Sequence, residues 1–273
     1  MTIYRYALPF ILLVANAAHA QEAGMPLWEY GLAGGVAVTP AYPGSTEKLT
    51  RALALPFFIY RGEVFRVDRG GIGARVVNQK DFEVDIGFSA SLPASSKDVE
   101  ARSGMEDLGT LVEFGPRLKY VVARPTPFSR VRVELPLRAV LEFDNGVRGQ
   151  GAAFEPQISY ESRNIAGGWG LGVSASVVFG DQSLNQYFYS VPARFATANR
   201  PQYDAQAGLI SSRVGLNFSK ELSSDARIFI ATRYDSYAGA KNVTSPLMQQ
   251  SNSLTLGLGF TWTLGRSEAR AVR

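Results

Sequence analysis

The chain contains no cysteine, which removes disulfide staples, thiolate nucleophiles and Cys metal sites from its options. It contains one histidine, His19. Beyond the first twenty residues no apolar run approaches the roughly 20 residues that a membrane helix requires. Blocks of like charge are missing as well. The 28 Lys and Arg and the 24 Asp and Glu are scattered along 273 residues, so the basic balance gives no support to nucleic-acid binding. No Pro- or Ser-rich tract interrupts the stretch from Trp28 to Leu264, and one domain is favoured over two.

The first twenty residues, MTIYRYALPFILLVANAAHA, carry Arg5, an apolar stretch from Ala7 to Ala15, and Ala18 and Ala20 around His19. This is the layout of a secretory signal peptide over residues 1–20, with cleavage expected after Ala20. Removing Arg5 from the 28 basic residues leaves 27 against 24 acidic ones, a formal charge of +3. The sole histidine leaves with the same segment.

What remains is alternation. Residues 131–141 read VRVELPLRAVL, with Val131, Val133, Leu135, Leu137, Ala139 and Leu141 set against Arg132, Glu134, Pro136 and Arg138. Side chains of a strand point to opposite faces in turn, so one face is greasy and the other charged. The pattern recurs at 28–38, 82–92, 110–122, 152–160, 169–179 and 210–218, and more loosely at 226–237. It is cleanest at the end, where Leu254, Leu256, Leu258, Phe260, Trp262 and Leu264 oppose threonines and glycines.

Alternating segments of about ten residues split by turns are the signature of an all-β, antiparallel transmembrane barrel. A soluble sandwich would have to bury the charged faces at a cost of several kcal/mol per unpaired charge. Pro116, Pro136 and Pro156 each remove a ladder hydrogen bond and are expected at bulges or kinks. Aromatic residues near strand ends (Trp28, Tyr30, Tyr120, Phe128, Phe260 and Trp262) fit interfacial girdles.

Short connections are expected at 78–80, 124–126, 163–167 and 223–224, and long ones at 40–50, 93–108, 143–149, 180–205 and 238–251. Short and long alternate, as periplasmic turns and external loops do. A hairpin at Arg61-Gly62 and a turn at Gly70-Gly71 bring the count to twelve strands, favoured over ten. The barrel domain is expected over 21–264, with a tail at 265–273.

Residues 181–209, DQSLNQYFYSVPARFATANRPQYDAQAGL, resemble the MipA/OmpV family of Gram-negative outer-membrane proteins. The likeness rests on Asp181, Asn185, Tyr187-Phe188, Val191, the Ala193/Ala196 spacing, and Tyr203, Ala205 and Gly208. Pro40, Tyr42, Gly44 and Ser45, and Ser245-Pro246-Leu247, add to it. The resemblance covers the mature chain and implies an outer-membrane barrel in contact with outer-membrane lipids. In at least one member it also implies a scaffold between a murein lytic transglycosylase and a peptidoglycan synthase. Relatives are described as porin-like proteins or adhesins.

No enzyme is expected. Outer-membrane lipases, deacylases and omptin-like proteases rely on histidine, and the mature chain has none; a Ser-Lys or paired-carboxylate mechanism stays open in principle, with no recognisable motif behind it. No cofactor is expected either, and no metal: Asp81, Glu83 and Asp85 alternate along a strand instead of wrapping an ion. Two candidate sites remain. Inward-facing Glu113, Arg117, Lys119, Arg132, Glu134, Arg138, Glu155, Glu161 and Arg213 either select solutes in a polar channel or form a salt-bridged plug. In the 181–205 loop, Tyr187, Phe188, Tyr189, Phe195, Tyr203, Arg194 and Arg200 either form a binding surface or pack into the barrel mouth. The functions in play are a scaffold for murein enzymes, a pore for small polar solutes, and adhesion through the loops.

Overall fold

A computed structural model describes residues 24–62, 65–68, 71–144 and 146–271. The expected signal peptide at 1–20 lies outside the described residues. The strands are β1 (Trp28–Pro40), β2 (Lys48–Arg61), β3 (Phe65–Asp68), β4 (Gly71–Asn78), β5 (Phe82–Ser91), β6 (Thr110–Thr126) and β7 (Ser129–Phe143). They continue with β8 (Val147–Phe154), β9 (Gln157–Ile165), β10 (Trp169–Gly180), β11 (Gly208–Glu221), β12 (Ala226–Ser236) and β13 (Asn252–Arg266).

All pairings are antiparallel and run from strand to strand in chain order, and β13 returns to pair with β1. β8 and β9 are two halves of one strand. Arg138 of β7 lies opposite Ala153 and Glu134 opposite Gln157, in one unbroken register. The same continuity holds against β10, where Gly180 faces Ala153 and Ser176 faces Gln157. Pro156, which cannot donate, interrupts the ladder between the halves. Thirteen segments therefore make twelve strands, the count favoured by the sequence.

The alternation sorts the two faces. Leu32, Leu135, Leu137, Ile158, Val214, Leu254, Leu256 and Leu258 are exposed on the outside, where hydrocarbon is the solvent that suits them. Arg132, Glu134, Glu161 and Asp235, on the opposite faces of their strands, are buried. Outward aromatics mark both rims. Tyr30, Tyr120, Phe128 and Trp262 lie towards the end with the termini, and Phe143, Phe154, Phe179 and Tyr234 towards the other. Trp28 and Tyr30 stack at 5.9 Å. Gly34 leaves room for a neighbour: a Cβ there would lie 2.7 Å from the Phe260 ring across the β1–β13 pair.

The connections after β4, β6, β9 and β11, of two to four residues, fall at the end where β1 begins, and the long loops 41–47, 92–109, 181–207 and 237–251 fall at the other. One expectation fails. Residues 143–149 are not a long loop: β7 runs to Phe143, β8 begins at Val147, and Asp144 N donates to Gly146 O at 3.2 Å. Asp144-Asn145-Gly146 is hairpin-turn chemistry, and it outweighs the loop length inferred from a lapse in hydrophobic alternation. The segment after Leu264 also departs from a simple tail. β13 reaches Arg266, and Leu27 N donates to Ala269 O and Ala271 N to Met25 O, both at 2.8 Å. Residues 24–27 and 269–271 form a small ladder below the barrel rim.

Leu258 is outward and near the middle of β13. Leu258→Arg is expected to destabilise the barrel by about 2–4 kcal/mol, read as a lower denaturant midpoint in vesicles. Inward Thr261→Arg on the same strand is expected to cost less.

Candidate functional site: the lumen belts and the lid

Strand register brings the inward charges of β5, β6, β7 and β9 into a chain of ion pairs. Asp85 accepts from Arg117 Nε at 3.0 Å and Nη2 at 2.7 Å, and from Lys119 Nζ at 2.8 Å. Lys119 also reaches Glu83 at 2.8 Å. Arg117 lies 3.7 Å from Glu134, and Arg132 Nε lies 2.8 Å from the same carboxylate, outside hydrogen-bond alignment. Arg132 and Arg130 then share Glu161, at 2.7 Å and at 2.6 and 2.8 Å. Cations and anions in this belt are equal in number.

A second belt crosses β6 to β12. Arg138 Nη1 lies 3.1 Å from Glu113 and 3.2 Å from Glu155. Glu155 accepts from Arg213 at 2.9 Å and from Ser176 Oγ at 3.1 Å. Arg213 and Arg233 both reach Asp235, at 2.7 and 2.8 Å. Charges balance here too. All nine inward-facing candidates from the sequence lie in the two belts, joined by Glu83, Asp85, Arg130, Arg233 and Asp235. Arg130 precedes the quoted alternation, and Arg233 and Asp235 belong to its loosest segment. Asp81 lies outside the lumen, paired with Arg124 beside a short turn.

The remaining inner wall is different. β2 turns Leu53, Leu55, Phe57 and Ile59 inward, half-buried, while Ala52, Ala54, Pro56 and Phe58 face out. Next to it β1 presents Ala33, Gly35 and Ala37, and β13 presents Gly257, Gly259 and threonines. The lumen has a charged side and an apolar, small-residue side, the latter bounded by Arg51 near the top of β2 and by the Arg61–Glu29 pair, 2.8 Å apart, at its foot.

The long loops fold over the mouth. Asp181 caps α1 (Gln182–Tyr189), its carboxylate accepting from Leu184 N at 2.9 Å. This is N-cap chemistry, a short acceptor for a helix-end amide that lacks an intrahelical partner. Asn185 donates to Gly180 O at 2.8 Å and accepts from Asn242 Nδ2 at 2.8 Å. Asn242 in turn accepts from Gln206 N at 2.9 Å and from Tyr203 Oη at 3.3 Å. This amide clasp, fully buried, joins two loops 57 residues apart in sequence.

Phe188 and Tyr203 pack on a core of Tyr42, Val99, Leu108, Val191 and Leu247 drawn from all four loops. Tyr42 Oη donates to Leu247 O at 2.7 Å and Ser245 Oγ to Tyr189 O at 2.7 Å. Arg200 donates to Ala101 O at 2.9 Å and Ser103 O at 3.0 Å. Gly208 opens β11 at φ 152°, and a Cβ there would lie 2.7 Å from Lys241.

The loop's aromatics are thus largely packing material; Arg194, paired with Glu106 at 2.8 Å, stays at the surface. Burial, then the carboxylate of Glu142, pushes the Tyr187 hydroxyl well above its ordinary range, so it stays a donor. Glu142 went unmarked in the sequence, where it looks like one more strand-end charge. It is the hub beneath the lid, accepting from Tyr187 Oη at 2.9 Å, Gly109 N at 2.9 Å and Gln150 Nε2 at 2.7 Å. Asp107 accepts from Ser96 N at 2.6 Å, and that bond holds its carboxyl below the usual range.

A ring of antiparallel strands whose last pairs with its first, with a greasy exterior, paired lumen charges and a packed mouth, defines an outer-membrane β-barrel. The family described as MltA-interacting protein MipA matches residues 32–264. The chain belongs to that family. No curated protein matches it. Among solved structures it is similar to an outer-membrane channel from Pseudomonas putida F1, at 11% identity and a TM-score of 0.50, covering 91% of this chain and 100% of that one. It also matches the outer-membrane phospholipase A of Escherichia coli at 8% identity and a TM-score of 0.34, covering 86% and 92%. The CymD monoaromatic hydrocarbon channel matches at 11% identity and 0.37, covering 90% of each. The first of these supports the fold and nothing finer.

Replacing one member of a buried pair strands its partner at a cost of about 3–5 kcal/mol. Glu161→Gln, which leaves Arg130 and Arg132 undercompensated, is expected to lower unfolding stability by that order in detergent micelles. Asn242→Ala removes the partner of Asn185 and is expected to cost the lid about 1–3 kcal/mol. Faster proteolysis within 181–207 on intact cells, with the barrel still folded, is the readout.

Proposed function

We propose that this protein is a sealed structural barrel of the outer membrane that serves as an anchor for murein-processing enzymes on its periplasmic side. The observation that carries the sealed reading is the pairing of the lumen charges, acid to base, across two belts beneath a lid with its own core. Selectivity in a polar pore depends on lumen groups whose field reaches the permeating ion. Here the opposite charges lie within about 3 Å of one another along most of both belts and cancel at longer range. A pore for small polar solutes is correspondingly disfavoured, and adhesion rests only on the exposed part of the loops.

The murein half of the proposal is supported by the family's description as MltA-interacting. The rim that carries the termini offers a surface for it: exposed Glu268, Ala269 and Arg270 project beside the ladder that Gly24–Leu27 makes with Ala269 and Ala271. The chain beyond residue 20 has neither histidine nor cysteine, which leaves it without the parts of a His-based triad or a thiolate nucleophile.

Purified, heat-modifiable protein in a planar bilayer is expected to give no discrete conductance steps. Steps of stable size in the wild type would end the sealed reading. Photo-crosslinkers at Glu268 and Arg270 in growing cells are expected to capture a lytic transglycosylase or a peptidoglycan synthase. Recovery of neither enzyme from either position would end the anchoring reading.

A further inference from the structure

The wall is not of equal height all round. β3 and β4 form a hairpin of only four and eight residues, joined to β2, among the described residues, at Tyr60–Val67 and Arg61–Arg66. Among the described residues, Lys48–Ile59 of β2 has ladder partners on β1 but none on its other edge. Across the interruption, β5 pairs with β4 up to Gly87, and among the described residues Phe88–Ser91 has ladder partners on β6 alone. The side chain of Arg51 donates to Pro93 O and bridges the top. A window results, with Leu53–Ile59 along one jamb and Phe88–Ser91 along the other. The longer jamb extends for about 20 Å at a strand rise of ~3.3 Å per residue.

Unpaired peptide groups at membrane depth are tolerated where they border a cavity that can hydrate them, and not against bare lipid. A window onto the lumen meets that condition. Its chemistry is set by β2, whose inner face is Leu53, Leu55, Phe57 and Ile59 and whose outer face is Ala52, Ala54, Pro56 and Phe58. Phe88 and Ala90 face outward on the other jamb. An apolar surface therefore continues from the bilayer, round the free edge of β2, to the inner wall. Beside it β1 turns only small side chains inward, Ala33, Gly35 and the buried Ala37. Neither ion-paired belt reaches β2; the nearest belt charges, Glu83 and Asp85, lie on β5 on the turn side of Phe88–Ser91. The lid closes the axial route from outside.

We propose that this window is a lateral portal through which a small apolar solute, held against the inner face of β2, passes between the outer-membrane hydrocarbon and the lumen. The solute leaves along the axis at the turn end. The chemistry selects against ions and polar solutes, which have no reason to leave water for the β2 face. The portal is independent of any murein partner and compatible with a mouth closed by the lid.

The cysteine-free chain permits a clean test with single labels in the full-length protein. Bimane is attached at Leu55→Cys (inward, at the window), Ser174→Cys (inward, on fully paired β10) and Leu256→Cys (outward), in vesicles containing lipids with nitroxide on the acyl chain. Quenching at position 55 is expected to be several-fold above that at 174 and to approach that at 256. Equal shielding at 55 and 174 would overturn the portal.

In cells, the wild type is expected to raise the uptake rate of N-phenyl-1-naphthylamine several-fold over an empty vector. Leu55→Glu, confirmed folded by heat modifiability, is expected to return it to the vector rate. A wild type no faster than the vector would overturn the proposal. So would a disulfide-linked dimer from Ala54→Cys, since a second copy would then occupy the free edge. Conductance steps would end the sealed reading and leave the portal standing, whereas a shielded label at position 55 ends the portal alone.

Discussion

A peptide group in hydrocarbon has no water to bond with, and each unpaired one costs several kcal/mol. That constraint underlies everything else in this molecule. It requires the strands to pair sideways until the last meets the first, and β13 on β1 is the result. Once the cylinder forms, the period of two along each strand sends one set of residues to lipid and the other to the lumen. The same constraint explains the prolines. Pro116, Pro136 and Pro156 lie on neighbouring strands near one level, with Pro136 opposite Arg117 and accepting from Glu155 N at 3.3 Å. Missing donors are gathered where the wall is already irregular and the break between β8 and β9 absorbs the cost.

The lumen raises the opposite problem, since charged groups are confined in a narrow space. An isolated buried charge is expensive, and a pair gains only if its geometry is good and its remaining valences are met. The belts meet this by sharing. Asp85, Glu161, Glu155 and Asp235 each serve two cations, and Lys119, Arg138 and Arg213 each serve two anions. Neutrality thus comes from many local ties between adjacent strands, which also resist slippage. A shift of one residue would turn a whole set of charges out to lipid.

The sequence carried the facing of the residues well and their partners poorly. Arg132, Glu134 and Arg138 declare themselves inward because valines and leucines flank them. That Glu161 stands between Arg130 and Arg132 depends on register across β7 and β9, which no local pattern encodes. β12 was loose because Phe229 is inward and Thr232 outward, each against the expected polarity. β2 was harder still. Its inner face is greasier than its outer one, so the alternation that identifies other strands is inverted there. The motif residues Asp181, Asn185, Tyr187, Phe188, Tyr203 and Gly208 were conspicuous as a group, but their roles as cap, clasp, strut and core required Asn242, Glu142 and Leu247 from distant loops.

The lid and the window are linked through the top of β2. Leu49 packs on the loop core, and Arg51, two residues further along the strand, ties the strand to Pro93 at the start of the 92–109 loop. That loop lies under Arg200, Phe188 and Val191 of the 181–207 segment. The free edge of β2 is therefore held at its upper end by lid contacts and at its lower end by two ladder pairs to β3. An edge fixed at both ends cannot peel away from the barrel, although between those points it has a ladder partner on one side only. The packed core over the mouth thus does more than close it. By anchoring the least supported strand, it lets the wall be incomplete between β2 and β5 without the cylinder coming apart there.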